Sequence, residues 1–364
     1  MDATVRYTAG CKEITVSGTP YERGVQYGSA CREEILISIS NYAHRLSKRM
    51  DWQEAQRRAM QYLPAIREAG EEYVEEMQGI ADGANVNFAE IVMINSRSEP
   101  MEPVADEQAP QECTAFSVIP PACADGTVLA GQNWDFSRAH REAVVILRIL
   151  PADGKPGILM FPEAGMIGAM GMNDAGIALT LNALSTPAKA YGLPLHVRMR
   201  KILEQWDMER AFSQTVKGDR PSPANLIITH RDGIALGVEL DPAGIDVLLP
   251  EGGVLVHTNH FIGPKFATRT HGSGASTYIR LQRISTHLKG KTGITKDLIQ
   301  LALRDHAGYP YSVCKHTVPT GDEKEVWYGA TNFSLIMDLI NGSAEFAYGN
   351  PCESSYVTLK VSDM

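Results

Sequence analysis

The hydrophobic period of the chain changes at one place, and that change limits its possible folds more than any other feature. Up to about residue 95, apolar residues recur with helical spacing. From Thr114 onward they fall in short runs broken by turn residues. Between the two lies Pro100 to Glu112, with three prolines, four acidic residues and no basic residue. That is linker composition. A long structureless stretch inside a compact enzyme is usually functional or disordered, although an inter-domain hinge would serve as well. At its end stands Glu112-Cys113-Thr114-Ala115-Phe116-Ser117-Val118, and Gly131-Gln132-Asn133-Trp134-Asp135 follows.

Before the junction, residues 13–18 predict a short strand. Thr19 predicts an N-cap, with Pro20 at the first helical position and Glu22 completing a capping box. A second helical region runs from about Trp52 to Gly79 and breaks near Pro64. Its Glu71-Glu72 and Glu75-Glu76 read as a solvated face, and Asn87 caps a helix through Ile94.

After the junction, strands are expected over 114–119, 127–131, 143–150, 158–161, 166–172, 177–182, 225–229, 235–240, 246–249 and 253–257. Helices are expected over 195–212, 278–288 and 296–304. Two further strands, 332–339 and 345–348, pair across Asn341-Gly342. The order is helices, then strands, then helices between strand groups, then a hairpin. It favours an α+β fold with helices covering antiparallel sheets over strict βαβ alternation.

A net charge of −9 lacks the basic field of a general nucleic-acid or anionic-membrane binder. No apolar run approaches a membrane span, and residues 1–19 have no apolar core of a signal peptide. The six cysteines are scattered with no C-x-x-C pair, which suggests reduced thiols and a cytoplasmic protein. Ser362-Asp363-Met364 is not a peroxisomal address.

Cys113 has three readings. A buried structural cysteine is the commoner identity of such a residue. In an intact chain it could be a nucleophile served by His257 or His260 beside Asn259. In a chain cut before Cys113, the freed α-amine could act as base, since its reference pKa of roughly 7.7–8.0 lies near the thiol's roughly 8.5. Asp135 could anchor that ammonium, and Asn259 and Asn182 could donate to an oxyanion. No metal is expected: residues 257 and 260 would face opposite sides of a strand, and no matched Cys/His set is apparent. Arg198, Arg200 and Lys201 read as a solvated helix face that could also meet coenzyme A phosphates.

Ordered motifs along nearly the whole chain carry a resemblance. They are Gly18-Thr-Pro-Tyr-Glu-Arg-Gly24 with Gly28-Ser29, Gly79-Ile-Ala-Asp-Gly-Ala84 and Glu90-Ile-Val-Met-Ile-Asn95. Cys113-Thr114, Gly131-Gln-Asn-Trp-Asp135, Glu163-Ala-Gly-Met-Ile-Gly168, Asn173-x-x-Gly176 and Asn182-Ala-Leu184 follow. His257-Thr-Asn-His260, Pro310-Tyr-Ser-Val-Cys314 and Gly349-Asn-Pro-Cys352 complete them. The chain resembles the acyl-coenzyme A:isopenicillin N acyltransferase family of N-terminal-nucleophile hydrolases.

The resemblance implies a four-layer αββα sandwich made as a precursor and cut between Glu112 and Cys113. Segment 1–112, mostly helical, and segment 113–364 would stay associated as one intertwined domain, a heterodimer of α and β chains. Cys113 would be the nucleophile, Asp135 its supporting carboxylate and Asn259 the oxyanion donor, with Asn182, Lys315 and Tyr328 as further support. An acyl group would pass from a small-molecule N-acyl amine, or from acyl-coenzyme A as co-substrate, through a thioester to an amine or water, with no resident cofactor. The alternatives are an unprocessed cysteine amidohydrolase and a non-catalytic metabolite-binding relative. Glu112, Ala115, Asp241 and Trp327-Tyr328 depart from the penicillin-forming members, which carry glycine, threonine, serine and Ser-Arg there. That points to a different N-acyl substrate.

Overall fold

The computed structural model of the chain describes residues 3–99, 112–152, 154–188, 190–268, 274–318 and 328–363. Apart from Glu112, the expected linker lies outside them, as does Trp327. Among the described residues a hairpin of β1 (Thr4–Thr8) and β2 (Cys11–Val16) precedes α1 (Pro20–Ala30), α2 (Arg32–Leu46), α3 (Trp52–Ala59), α4 (Leu63–Ala69), α5 (Glu71–Ala84) and α6 (Phe88–Asn95). Strands β3 (Glu112–Val118), β4 (Leu129–Ser137), β5 (Val145–Ile149), β6 (Ile158–Met160), β7 (Gly171–Asn173) and β8 (Ile177–Ala183) lead to α7 (Leu195–Leu203) and α8 (Met208–Val216). Then come β9 (Ala224–His230), β10 (Ile234–Asp241), β11 (Gly244–Leu248), β12 (Val254–His257), α9 (Ala275–Leu288) and α10 (Lys296–Leu303). β13 (Gly329–Asp338), β14 (Ser343–Tyr348) and β15 (Val357–Lys360) follow.

The strands form two sheets. One has nine strands in the order β1-β2-β5-β6-β7-β8-β9-β10-β11, and the other has six in the order β12-β3-β4-β13-β14-β15. Every named pairing is antiparallel except β2 with β5. The sheets pack face to face, with β3 and β4 against β8 and β9. α7 and α8 cover the outer face of the first sheet, and α9 and α10 that of the second. The result is an αββα sandwich of the α+β class. Because β2 pairs with β5, the segment before residue 112 is built into a sheet completed by the segment after it.

α1 opens as its sequence dictates, with Thr19 and Glu22 forming the capping box. It meets α5 through glycines a turn apart on both helices. A Cβ on Gly24 would lie 2.2 Å from the Glu76 carbonyl oxygen, and one on Gly79 would lie 2.2 Å from that of Tyr21. Only glycine allows this backbone approach. Nearby, Glu76 is buried between Arg23 (3.0 Å) and Arg200 (3.0 Å), so it is not part of a solvated face. A carboxylate enters such a core only when paired.

Two further expectations are corrected. The helix over 195–212 is two helices, and Trp206 lies between them, 49% exposed. Asp207 caps the second by accepting the Arg210 N–H at 2.8 Å. The basic residues of α7 are committed internally. Arg200 pairs with Glu76 and Glu204, Arg198 donates to the carbonyls of Gln214, Thr215, Lys217 and Asp219, and Lys201 donates to that of Ala69. They form neither a solvated face nor a phosphate cradle. β1 was not anticipated, being short and largely exposed.

Candidate active site

Cys113 is the second residue of β3 and is fully buried. Alternation along this strand separates two environments. Ala115 packs on Ile227, and Ser117 accepts the Thr229 hydroxyl at 2.8 Å, both toward the nine-stranded sheet. Phe116 and Val118 join the apolar cluster beneath α9 and α10. Cys113 shares the first set's parity and belongs to the core between the sheets.

The backbone of Cys113 is held by three side chains. β12 ends at His257, opposite Ala115, so no ladder partner remains for the Cys113 N–H. A buried donor must be satisfied, and Asn259 Oδ1 accepts this one at 2.8 Å. The Cys113 carbonyl accepts from Arg280 Nη1 at 2.7 Å and from Asn182 Nδ2 at 3.2 Å. Arg280 Nη2 also donates to Asn259 Oδ1, at 2.9 Å. Two donors converge on that atom, so Asn259 presents its carbonyl to the cysteine, while its amide donates to the Ala183 carbonyl at 3.0 Å. In the uncut chain it is therefore an acceptor.

Glu112, Asp135 and Thr331 form a cross-strand row over β3, β4 and β13. Directly opposed residues share a face, so the two carboxylates are neighbours. Lys315 Nζ makes a close ion pair with Glu112, whose other oxygen accepts the Ser276 hydroxyl at 2.6 Å and lies 3.5 Å from Arg280. Burial alone would raise the Glu112 carboxyl, but Arg280 and Lys315 hold it down at about 2. Asp135 behaves oppositely. Burial pushes its carboxyl up to about 6, against the pull of Arg280, Thr331 and Lys315. Oδ1 of Asp135 accepts the Thr331 hydroxyl at 2.6 Å, and Oδ2 has no hydrogen-bond partner among the described residues. A bulge between Thr331 and Phe333 sets this register, as bulges beside functional sites often do. Two carboxylates whose pKa values are driven apart are suited to different tasks. The Cys113 thiol is raised by burial and by the Asp135 charge, with Arg280 and Arg97 opposing.

The histidines are occupied elsewhere. His257 Nε2 lies 2.9 Å from Glu239 Oε1 and its Nδ1 lies 2.7 Å from the Thr258 carbonyl. His260 bonds Thr277 at 2.9 Å, stacks on Tyr278, and is lowered by burial to about 4. Tyr328 is tied through its carbonyl, which accepts the Arg138 N–H at 3.0 Å. Asp241 holds the β10–β11 turn through the Ala243 N–H. Cys113, Asp135, Asn259, Asn182, Lys315 and Glu112 are thus brought together, whereas Tyr328 joins no part of the network among the described residues.

Sequence reading missed Arg280, Ser276 and Thr331. Arg280 carried a usable signal, because the buried positions of α9 are Thr277, Arg280, Ile284 and Leu288. An arginine on a helix's buried stripe needs a partner.

The chain is similar to known proteins along most of its length. A family profile described as acyl-coenzyme A:6-aminopenicillanic acid acyl-transferase matches residues 123–352. The 40 kDa form of acyl-coenzyme A:6-aminopenicillanic-acid-acyltransferase from Emericella nidulans is 30% identical over 350 residues, 93% of this chain and 92% of that protein. An uncharacterized protein from Archaeoglobus fulgidus is 23% identical over 305 residues, 69% of this chain and 50% of that one. Among solved structures, a mutant conjugated bile acid hydrolase from Clostridium perfringens gives a TM-score of 0.50 at 14% identity. It covers 69% of this chain and 93% of that chain, a likeness of fold alone.

Proposed function

Because the chain belongs to the acyl-coenzyme A:6-aminopenicillanic acid acyl-transferase family, we propose that it cuts itself before Cys113 and then moves acyl groups through that residue. The observation that carries this reading is the convergence of Asn259, Asn182 and Arg280 on the backbone of one buried cysteine. A structural cysteine needs no such convergence.

In the cutting step, Cys113 Sγ attacks the Glu112 carbonyl carbon. In this reading Asp135, whose charge already acts on the Cys113 thiol and whose Oδ2 has no hydrogen-bond partner among the described residues, takes the thiol proton. The Cys113 nitrogen leaves with a proton and the Glu112 acyl group moves to sulfur. Water then hydrolyses that thioester, giving a Glu112 carboxylate, a free thiol and an α-amine. In turnover the amine takes the thiol proton, and the thiolate attacks an acyl donor. The donor is an N-acyl amine or acyl-coenzyme A as co-substrate. The departing amine or thiol is protonated, and a second amine or water receives the acyl group. Asn259 Oδ1 keeps the new amine oriented, and Asn182 with Arg280 holds the Cys113 carbonyl and so fixes the nucleophile's backbone. Oxyanion donation by Asn259 would require its amide to leave the Ala183 carbonyl. Segments 1–112 and 113–364 remain paired through β2 and β5.

Glu112, where penicillin-forming members have glycine, is neutralised here by Lys315 and Arg280. Together with Ala115 and Asp241 it supports an N-acyl substrate other than a penicillin. The histidine-dependent alternative loses support, since both histidines bond other groups. Incubation with acyl-coenzyme A or an N-acyl amide followed by acid quenching tests the thioester. An acyl mass on the peptide that begins at Cys113 is expected, and product formation with no such adduct would contradict it.

A further inference from the structure

Away from the cysteine nucleophile, the fold gathers His306, Cys314, His316 and Cys352 so that one ligand atom of each lies within 4.8 Å of the others. No matched set was apparent in the sequence because the four come from separate places: the loop after α10, the segment before β13 and the turn after β14. We propose that these residues form a structural zinc site.

Four of the six ligand–ligand distances are close to the edges of a tetrahedron, and the two from His306 to the cysteines are within 4.8 Å. Cys314 Sγ lies 3.5 Å from Cys352 Sγ and 3.5 Å from His316 Nε2. His316 Nε2 lies 3.3 Å from Cys352 Sγ and 3.1 Å from His306 Nε2. Tetrahedral zinc with bonds of about 2.3 Å to sulfur and 2.0–2.1 Å to nitrogen has edges of roughly 3.3–3.8 Å. Two thiolates and two imidazoles are a donor set that zinc takes readily. Outer partners are also in place. Asn350 Nδ2 is 3.6 Å from Cys314 Sγ, and Glu353 Oε1 is 3.6 Å from His316 Nδ1, leaving Nε2 for the ion. Tyr309 packs against both imidazole rings.

Binding exchanges the two thiol protons for the ion and ties residues 306–316 to the turn at 350–353. Lys315 stands between two ligands. Its Nζ pairs with Glu112, and its backbone N–H donates at 2.9 Å to the Thr331 hydroxyl that holds Asp135. The ion therefore fixes the segment that carries Lys315. All four ligands follow residue 113, so the site stands independently of the proposed cut. A disulfide between Cys314 and Cys352 is the rival use of the thiols, but it gives the histidines no part.

The test uses the full chain, reduced, stripped with a chelator and titrated with zinc or cobalt(II) alone. About one equivalent should bind, and cobalt should show the ligand-field and thiolate charge-transfer bands of a tetrahedral site. Cys352→Ser and His306→Ala should each lose that spectrum. His306 is exposed, so its variant should keep the circular dichroism of the parent. A folded, reduced chain without the cobalt spectrum would overturn the proposal, as would an unchanged spectrum in both variants. So would freshly purified, metal-free protein two hydrogens lighter, which would replace the site with a disulfide.

Discussion

Asn259 Oδ1 accepts the Cys113 backbone N–H at 2.8 Å, so the nitrogen that cutting would release is already held in the intact chain. Replacing Asn259 with leucine keeps the approximate volume and removes the acceptor. Self-cutting should slow by about five- to thirtyfold, the scale set by one buried hydrogen bond of roughly 1–2 kcal/mol. A time course of intact mass after synthesis would show it.

Arg280 joins the Cys113 carbonyl, Thr114, Asn259 and Glu112 from within α9. In an uncut Cys113→Ala background, Arg280→Ala should destabilise the fold by about 3 kcal/mol, because a buried carboxylate loses a partner. Arg280→Lys should recover only part of this, since an ammonium cannot reach several acceptors as a planar fork does. Combining Arg280→Gln with Glu112→Gln should cost less than the sum of the two, as expected for residues in one network. Urea denaturation measures all three.

The two carboxylates give opposite pH signatures. Glu112 is held down at about 2, so the stability it provides is present above the ordinary carboxylate range and is lost as pH falls toward 2. Asp135 is pushed up to about 6, so its contribution is greatest below its unfolded value and fades as pH rises through 6. If ionised Asp135 takes the thiol proton, cutting should accelerate as pH rises through about 6. Asp135→Asn should abolish that limb. The Thr331 bond lowers the Asp135 pKa, so Thr331→Val should move the limb to higher pH. Rates of cutting in a precursor accumulated at low pH would display the shift.

The α1–α5 contact offers a test of the fold alone. Gly79→Ala places a methyl 2.2 Å from the Tyr21 carbonyl oxygen and should cost about 1–3 kcal/mol or more as the helices part. Thermal unfolding would report it.

Much of this site could be read along the chain. Cys113 marked the change of period, Asp135 and Asn259 sat in ordered motifs, and Asn341-Gly342 gave the β13–β14 turn, where Gly342 has φ +57°. Local signals of this kind need no knowledge of what packs nearby. Glu76 was misread because its partners Arg23 and Arg200 lie far off in sequence, and an isolated carboxylate in a helical pattern looks solvated. Arg280 was missed because it acts on a residue 167 positions away. The His306, Cys314, His316 and Cys352 group escaped notice for the same reason, since only the folded sheet brings the β14 turn to the loop after α10.

Intact-mass analysis of the purified full chain, with a read of every N-terminus, decides whether Cys113 is released as a nucleophile. The proposed cut predicts two associated chains, the larger beginning at Cys113, and a single uncut chain for Cys113→Ala. A single intact chain that still turns over N-acyl amides or acyl-coenzyme A would contradict it.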